Sequence, residues 1–173
     1  TTLTSTGAGN IGLMSSVNGA RTLAVNTAGT TTFGGAVGGT TALSSVTTDA
    51  GGGTTISGGT MTTTGNQTYG DAVTISGRAV TFTGATPSFV SLTSRNENVT
   101  LNFTGTTVIN AANFTDIANL TTGNGGTTTL TGIITTSGTQ TYNDAVSLIG
   151  ATTLVSSGNQ NISFASTVNG AQT

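Results

Sequence analysis

The sequence predicts an all-β solenoid, in which short strands stack coil upon coil along one axis. Three observations support this prediction: the chain repeats itself, its apolar residues alternate within short runs, and those runs end at Gly, Asn or Asp. Coils of about 20–25 residues are typical of solenoid repeats. About seven or eight such coils, each rising ~4.8 Å, would form a rod on the order of 35 Å long.

The longest repeat joins the two ends of the sequence. Residues Thr1–Thr22 and Thr152–Thr173 align at an offset of 151 without a gap and are identical at 13 of 22 positions. The final residues therefore begin the pattern again. We interpret the chain as one long period plus an overlap, cut from a longer array.

A shorter repeat lies inside this period. Residues Thr62–Gly77 match Thr135–Gly150 at an offset of 73, with 10 of 16 positions identical. Upstream, Thr47–Gly59 resembles Thr121–Gly132 at about the same offset.

These offsets divide the long period into two units of about 75 residues. We predict one repetitive domain over residues 1–173, with units at roughly 1–77 and 78–150 and the next repeat starting in 151–173.

Apolar residues recur at every second position within the short runs. A period of two places them on one face of a strand, and the Thr, Ser, Ala and Asn between them suit the outer face. The clearest pairs are Leu23 and Val25, Val73 and Ile75, Val80 and Phe82, Val99 and Leu101, Val146 and Leu148, and Ile162 and Phe164. We expect Val73, Ile75, Val146 and Leu148 to point into the core.

Residues Asn110–Leu120 depart from this period. Phe114, Ile117 and Leu120 are spaced by threes, which leaves open one helical turn, an irregular coil edge or a protruding loop.

Residues Gly84–Asn98 also break the rhythm. This stretch holds Pro87, Arg95 and Glu97, and we predict that it is an insertion between coils.

Two other interpretations stay open at this point. Tandem β-sandwich repeats would also use short alternating strands, but sandwich cores are bulky and this chain has only two Tyr and six Phe. Disorder would fit the abundance of Gly, Ser, Thr and Asn. However, 34% of the residues are hydrophobic, whereas disordered chains are poor in apolar residues and strongly charged.

The composition excludes several classes of function. Only 5% of the residues are charged, and three arginines against five acidic residues give a net charge of −2, so nucleic acid is not expected as a partner. Cys, Lys, His and Trp are absent, which excludes disulfides and thiolate metal sites. No apolar run approaches the ~18 residues of a membrane-spanning helix. The sequence opens without a signal peptide, and we expect any such signal to lie outside it.

Several strings resemble the repeat regions of very large bacterial surface proteins, namely GNQTYGDAV, SVNGARTLAVNTAGTTTFGGAVGG and STVNGAQT. The resemblance is to the filamentous-haemagglutinin-like adhesins, which are exported by two-partner secretion or as autotransporters. It covers nearly the whole chain apart from Gly84–Asn98. It implies a right-handed parallel β-helix that is secreted and held at the bacterial cell surface or released as a fibre.

Some members of that family carry sugars on Asn-X-Ser/Thr sites. The asparagines that match this pattern here are Asn66, Asn98, Asn102, Asn113, Asn119 and Asn161.

Catalysis is not expected. Glycan-active β-helices need clustered carboxylates, and the acidic residues of this chain are widely spread. Asp71 and Asp144 occupy equivalent positions, each two residues after a tyrosine, Tyr69 or Tyr142. They could form a repeated ligand site, but we favour an architectural role in which each Asp shapes a turn and each Tyr packs on the coil surface.

Two Gly-rich stretches, Asp49–Gly53 and Gly123–Gly126, faintly resemble calcium-binding nonapeptide repeats. The regular GGxGxD series of such repeats is missing, and no GK[ST] follows to form a phosphate loop. We interpret both stretches as turns and predict no metal, cofactor or catalytic residue.

Thr-rich runs such as Thr62–Thr64 and Thr127–Thr129 raise ice binding as a less favoured function. It would require Thr-x-Thr in register on successive coils, whereas the Thr positions drift between the units of this sequence.

The predicted function is a non-catalytic stalk or fibre segment of an extracellular bacterial adhesin, which contacts neighbouring repeats and associates end to end. The alternative is an adhesion module that binds a ligand, such as host or surface glycans, through the insertion at Gly84–Asn98. A secreted glycan-active enzyme is the third class.

Overall fold

A computed structural model describes residues 1–171. In these residues it contains seventeen β-strands and no helix. The strands are β1 Thr2–Ser5, β2 Ile11–Leu13, β3 Thr22–Thr27, β4 Thr30–Phe33, β5 Ser45–Thr48, β6 Gly53–Ile56, β7 Thr60–Thr62, β8 Gln67–Ile75, β9 Val80–Gly84, β10 Pro87–Phe103, β11 Thr106–Asn110, β12 Phe114–Gly123, β13 Thr127–Thr136, β14 Gln140–Tyr142, β15 Ala145–Ser156, β16 Ile162–Phe164 and β17 Val168–Asn169.

The strands pair in parallel, each with a strand that lies one coil away. Stacked residues are separated by as few as 18 positions, as for Thr127 and Ala145, and by as many as 24, as for Val37 and Met61. About eight coils therefore form one parallel β-helix. This confirms the predicted solenoid and excludes β-sandwich repeats, whose sheets are antiparallel.

The core is a set of side-chain columns that run inside the coils. Burial alternates residue by residue along β8, as expected for a strand with one face inward. Val73, Ile75 and Val146 are at most 1% exposed, which confirms the predicted orientation. Leu148 also packs against the core but is only partly buried, because the last coil covers it incompletely.

The stretch Asn110–Leu120 forms a turn and an irregular strand, so of the three possibilities left open the irregular coil edge fits and the helical turn does not. The N–H of Asn113 donates to the carbonyl of Asn110 at 2.9 Å, and β12 follows. The spacing by threes has a different cause: Asp116 is left-handed, with φ of 54°, and β12 bulges before Leu120. Each irregularity adds one residue between successive inward positions.

The stretch Gly84–Asn98 is not an insertion, because most of it pairs with the coil below. Pro87 stacks on Gln67 and begins its strand, a position where the missing N–H costs little. A short bulge at Arg95 and Asn96 interrupts the ladder between Thr93 and Glu97. We call these two residues the β10 bulge.

The first and last coils share one backbone conformation. β2 and β16 lie 151 residues apart, as do β1 and the end of β15. Ala8 and Asn159 are left-handed, with φ of 57° and 55°, and Gly19 and Gly170 both have positive φ. The longest sequence repeat is therefore a structural repeat, although its final two residues lie outside the described residues.

Candidate functional site

The repeated tyrosines and aspartates lie inside the coils, and the expected surface packing of the tyrosines is wrong. Tyr69 and Tyr142 are 0% exposed, while Asp71 and Asp144 are 4% and 3% exposed. In both units the motif reads Gln-x-Tyr-x-Asp, and a spacing of two turns all three side chains to the same face. That face is the interior.

Gln67 satisfies the polar groups of the first unit's interior. Its Nε2 donates to the carbonyl oxygens of Met61 and Thr83, each at 2.9 Å. Its Oε1 accepts from the hydroxyl of Tyr69 at 3.0 Å. The buried amide and phenol are thus paired, as buried polar groups must be to avoid a large cost.

Gln140 repeats this network in the second unit. Its Nε2 donates to the carbonyls of Ile134 and Val155 at 3.1 Å and 2.8 Å, and its Oε1 accepts from the hydroxyl of Tyr142 at 2.8 Å. Each tyrosine also stacks on a phenylalanine one coil later, Tyr142 on Phe164 with ring centroids 5.1 Å apart. The repeated motif is therefore architectural.

The two aspartates differ in their partners. Asp71 Oδ1 accepts hydrogen bonds from the hydroxyls of Thr48 at 2.9 Å and Thr54 at 2.8 Å. Burial raises the pKa of Asp71, and the two hydroxyl bonds oppose this rise only in part. Asp144 Oδ1 instead accepts from the backbone N–H of Gly125 at 2.9 Å.

The second unit holds equivalent threonines that are not paired. Four stacked pairs establish the correspondence: Thr48 with Tyr69, Thr122 with Tyr142, Thr54 with Val73, and Thr128 with Val146. The hydroxyls of Thr122 and Thr128 and the Oδ2 atom of Asp144 are buried without a hydrogen-bond partner in residues 1–171. The same positions therefore form a closed network in one unit and an open one in the other.

The Gly-rich stretches form bends, as predicted. Gly52 and Gly125 have φ of 70° and 86°, a left-handed conformation that favours glycine. The Oδ1 of Asp49 accepts from the N–H of Thr27 on the preceding coil at 3.1 Å. No group of three or more Asp, Glu, His or Cys that could hold a metal ion occurs in the part of the chain that the structure describes.

Threonines do lie in register along one outer face, contrary to the expected drift. On five successive coils the column is Thr60, Thr81, Thr100, Thr121 and Thr141. The neighbouring column is Thr62, Thr83, Asn102 and Gly123. Along this face, Thr-x-Thr in register therefore occurs on only two coils.

The six asparagines of the Asn-X-Ser/Thr sites are at least partly accessible. Asn119 is engaged along the stack: its Nδ2 donates to Asn98 Oδ1 at 2.7 Å, and its Oδ1 accepts from the N–H of Thr139 at 2.6 Å. These contacts link three successive coils.

A groove of about 700 Å³ opens beside the β10 bulge. Arg95 and Asn96 line it together with Asp116, and all three are left-handed, with φ of 51°, 62° and 54°. Such a conformation costs a residue other than glycine about 1–3 kcal/mol and is often stored at functional sites. The groove is therefore our candidate functional site.

Ser94 and Asn96 hold the bulge in place. The fully buried Ser94 places its Oγ 2.9 Å from the carbonyl of Glu97 and 2.8 Å from that of Asp116, and its single hydroxyl proton is shared between these two acceptors. Asn96 Oδ1 accepts from Ser137 Oγ at 2.6 Å, across 41 residues. The bulge thus reaches over one whole coil to the next.

Sequence reasoning found part of this site. The pattern predicts an irregularity at Arg95, but it does not connect Asp116, Ser137 and Ile133 with that residue. A signal was present, since Asn96, Asp116 and Thr135 are spaced by about one coil of roughly 20 residues.

Comparison of the chain with protein-family models, curated proteins and solved structures finds no match. In the described residues there is no helix long and apolar enough to cross a membrane.

Proposed function

We propose that this chain is a non-catalytic stalk or fibre segment of a secreted or cell-surface bacterial adhesin, and that it associates end to end through its terminal coils. The supporting observation is that the first and last coils are the same structural unit, one period of 151 residues apart. Strand β3 pairs in parallel with β1 of the first coil. Because the end of β15 is equivalent to β1, a strand from a further coil could pair with it in the same way.

The terminal coils leave apolar side chains incompletely covered. In the last coil Phe164 and Val168 are 40% and 45% exposed, and Leu3 and Ile11 in the first coil are only partly buried. Core residues of the middle coils are at most 5% exposed. A further coil at either end would complete this burial.

The terminal coils also present an open backbone edge. The end of β15, residues 152–156, pairs with β13 on one side and with no described strand on the other. An edge with unpaired N–H and C=O groups and little charge is a template for another strand. Arg21 is the only charged residue of the two terminal repeats.

The coil-by-coil architecture supports the proposed mechanical role. Apart from the bond between Asn96 and Ser137, which passes over one coil, the strands pair only with those of neighbouring coils, so stability is approximately a sum of coil and interface terms. Added coils lengthen the rod without a new core. The extracellular location is supported by the resemblance to adhesin repeats and by the absence of cysteine, since exported chains avoid unpaired thiols.

Sedimentation velocity at rising concentration tests the proposal. We expect the sedimentation coefficient to increase with concentration. Electron micrographs should contain short fibres as wide as a single solenoid. A monomer that persists at high concentration would contradict end-to-end association.

A matched pair of variants assigns the contact to the ends. Val168→Lys places a charge on the last coil, whereas Val108→Lys places one on the side of a middle coil, where Val108 is 52% exposed. We expect only Val168→Lys to suppress association. The reverse result would indicate lateral bundling and would overturn the proposal.

A further inference from the structure

The groove beside the β10 bulge has a size and shape that the stalk role does not require. Its volume of about 700 Å³ lies within the ~300–1,000 Å³ typical of ligand sites. Four successive coils contribute to it, through Asn96, Asp116, Thr135 and Ser157. At ~4.8 Å per coil the groove extends for about 14 Å along the axis.

The groove is preformed. Ser94 fastens the bulge to Glu97 of its own strand and to Asp116 of the next coil, and the bond between Asn96 and Ser137 fastens it to the coil after that. A ligand would therefore meet side chains whose backbone is already ordered, which lowers the entropic cost of binding.

Two charges in the groove are not used by the fold. Arg95 and Asp116 are both exposed, and neither side chain makes a hydrogen bond or an ion pair with another residue of the described chain. Three of the chain's eight charged residues, counting Glu97, lie on or beside this bulge. A stalk that carries so little charge elsewhere has no structural need for them here.

The lining defines the class of ligand. One cation and one anion nearly cancel, so the groove does not select a charged molecule. It offers donors from Arg95, acceptors from Asp116, and the Thr135 hydroxyl, which can serve as either. The Ser157 hydroxyl donates to the carbonyl of Thr136 at 3.2 Å and can accept from a ligand. Ile133, which is 64% exposed, adds an apolar patch.

We propose that this groove binds a neutral oligosaccharide that lies along the solenoid axis. A neutral sugar is rich in hydroxyls that both donate and accept, and its ring has an apolar face for Ile133. This inference rests on the proposed adhesive function in one respect, the source of the ligand, because a fibre at a cell surface is exposed to glycans. Binding and end-to-end assembly are separate properties of separate residues.

Isothermal titration calorimetry of the whole chain tests the proposal with defined probes. These are neutral glucose- and galactose-based tri- to hexasaccharides, with oligogalacturonate as the acidic comparison. We expect binding of at least one neutral probe and no preference for the acidic one. Absence of binding at millimolar concentrations, or binding of the acidic probe alone, would overturn the proposal.

Variants locate the site. Arg95→Gly and Asp116→Gly remove one side chain each and suit the left-handed backbone, and each should raise the Kd about tenfold or more. Asn124→Gly is the matched control, since Asn124 is left-handed with φ of 94° and does not line the groove; its Kd should not change. Equal effects of all three variants, or none, would place the sugar elsewhere. Sedimentation of the same variants should still detect fibres, so loss of sugar binding and loss of assembly are distinguishable.

Discussion

The hydroxyl of Tyr69 lies 3.0 Å from Gln67 Oε1 inside the solenoid, and the same bond recurs 73 residues later between Tyr142 and Gln140 at 2.8 Å. The residues of each pair are two positions apart and fully buried. Because the glutamine also ties down two backbone carbonyls, it joins one coil to the next from the inside.

Replacement of Gln67 by Leu should therefore be costly. It leaves the carbonyls of Met61 and Thr83 without their side-chain donor and the Tyr69 hydroxyl without its acceptor, for a loss of about 3 kcal/mol or more in the free energy of unfolding. Urea denaturation measures this loss. Gln160→Leu is the control, because Gln160 is exposed, and it should change stability by less than about 0.5 kcal/mol. Equal midpoints for the two variants would contradict the role given to Gln67.

The sequence predicts those features of the fold that depend on short-range periodicity, above all which face of each strand is buried. Alternation alone identifies Val73 and Ile75 as inward residues, because a strand's two faces are set by its backbone. The same rule places Gln67, Tyr69 and Asp71 on the inner face. The expectation that the tyrosines pack on the surface is wrong, because their hydroxyls find a buried partner in Gln67 and Gln140.

The candidate site was harder to predict from the sequence. Arg95 breaks the local pattern and is therefore visible in the sequence, but the groove is also lined by Asp116 and Ser137. Those residues lie in later coils, and which of them meet depends on coil lengths that vary between 18 and 24 residues. The register between stacked coils, rather than the composition of the chain, determines which side chains line the groove.

The direction of an inward residue is tested by Ile75→Asp. Ile75 is 0% exposed, so an aspartate there buries an unpaired carboxylate and should cost several kcal/mol. Thr74→Asp is the adjacent control, since Thr74 is on the outer face between Thr55 and Thr93. Chemical denaturation should separate the two variants clearly, and a midpoint unchanged by Ile75→Asp would mean that the wrong face has been assigned to the core.

Two glycines separate backbone strain from steric clash. Gly52 and Gly77 have φ of 70° and 84°, so alanine is strained at both. A Cβ at Gly52 would also collide with the carbonyl of Gly29 on the coil below, whereas nothing lies within 4 Å of one at Gly77. We expect Gly77→Ala to cost about 1–2 kcal/mol and Gly52→Ala distinctly more, as measured by thermal unfolding. Equal costs would indicate that the coils separate easily at Gly52.

The raised pKa of Asp71 predicts how stability depends on pH. The folded state keeps the Asp71 proton to a higher pH than the unfolded chain, whose pKa is near the ordinary 3.8. The stability contributed by this group is therefore complete below that value and is lost as the pH rises through the folded-state pKa. Asp71→Asn cannot titrate and should remove this part of the pH dependence. Denaturation midpoints of both proteins between about pH 3 and 7 check the sign, and parallel curves would contradict it.

The unequal networks of the two units give the sharpest comparison. Thr54 donates to the buried carboxylate of Asp71 at 2.8 Å, so Thr54→Val leaves that acceptor short of a donor and should cost about 1–3 kcal/mol. Thr128 holds the equivalent place above Thr107 and below Val146, yet its buried hydroxyl has no partner in the described residues. Thr128→Val keeps the shape and removes an unpaired polar group, so it should be neutral or stabilising.

Both substitutions are chemically identical and lie on the same inner column of their unit, so differences in β-propensity and side-chain volume cancel. Urea denaturation under the same conditions should give Thr54→Val a lower midpoint than the unsubstituted chain. The midpoint of Thr128→Val should be equal to that of the unsubstituted chain or higher. Equal losses would mean that Thr128 finds a partner in solution and that the two interiors are bonded alike.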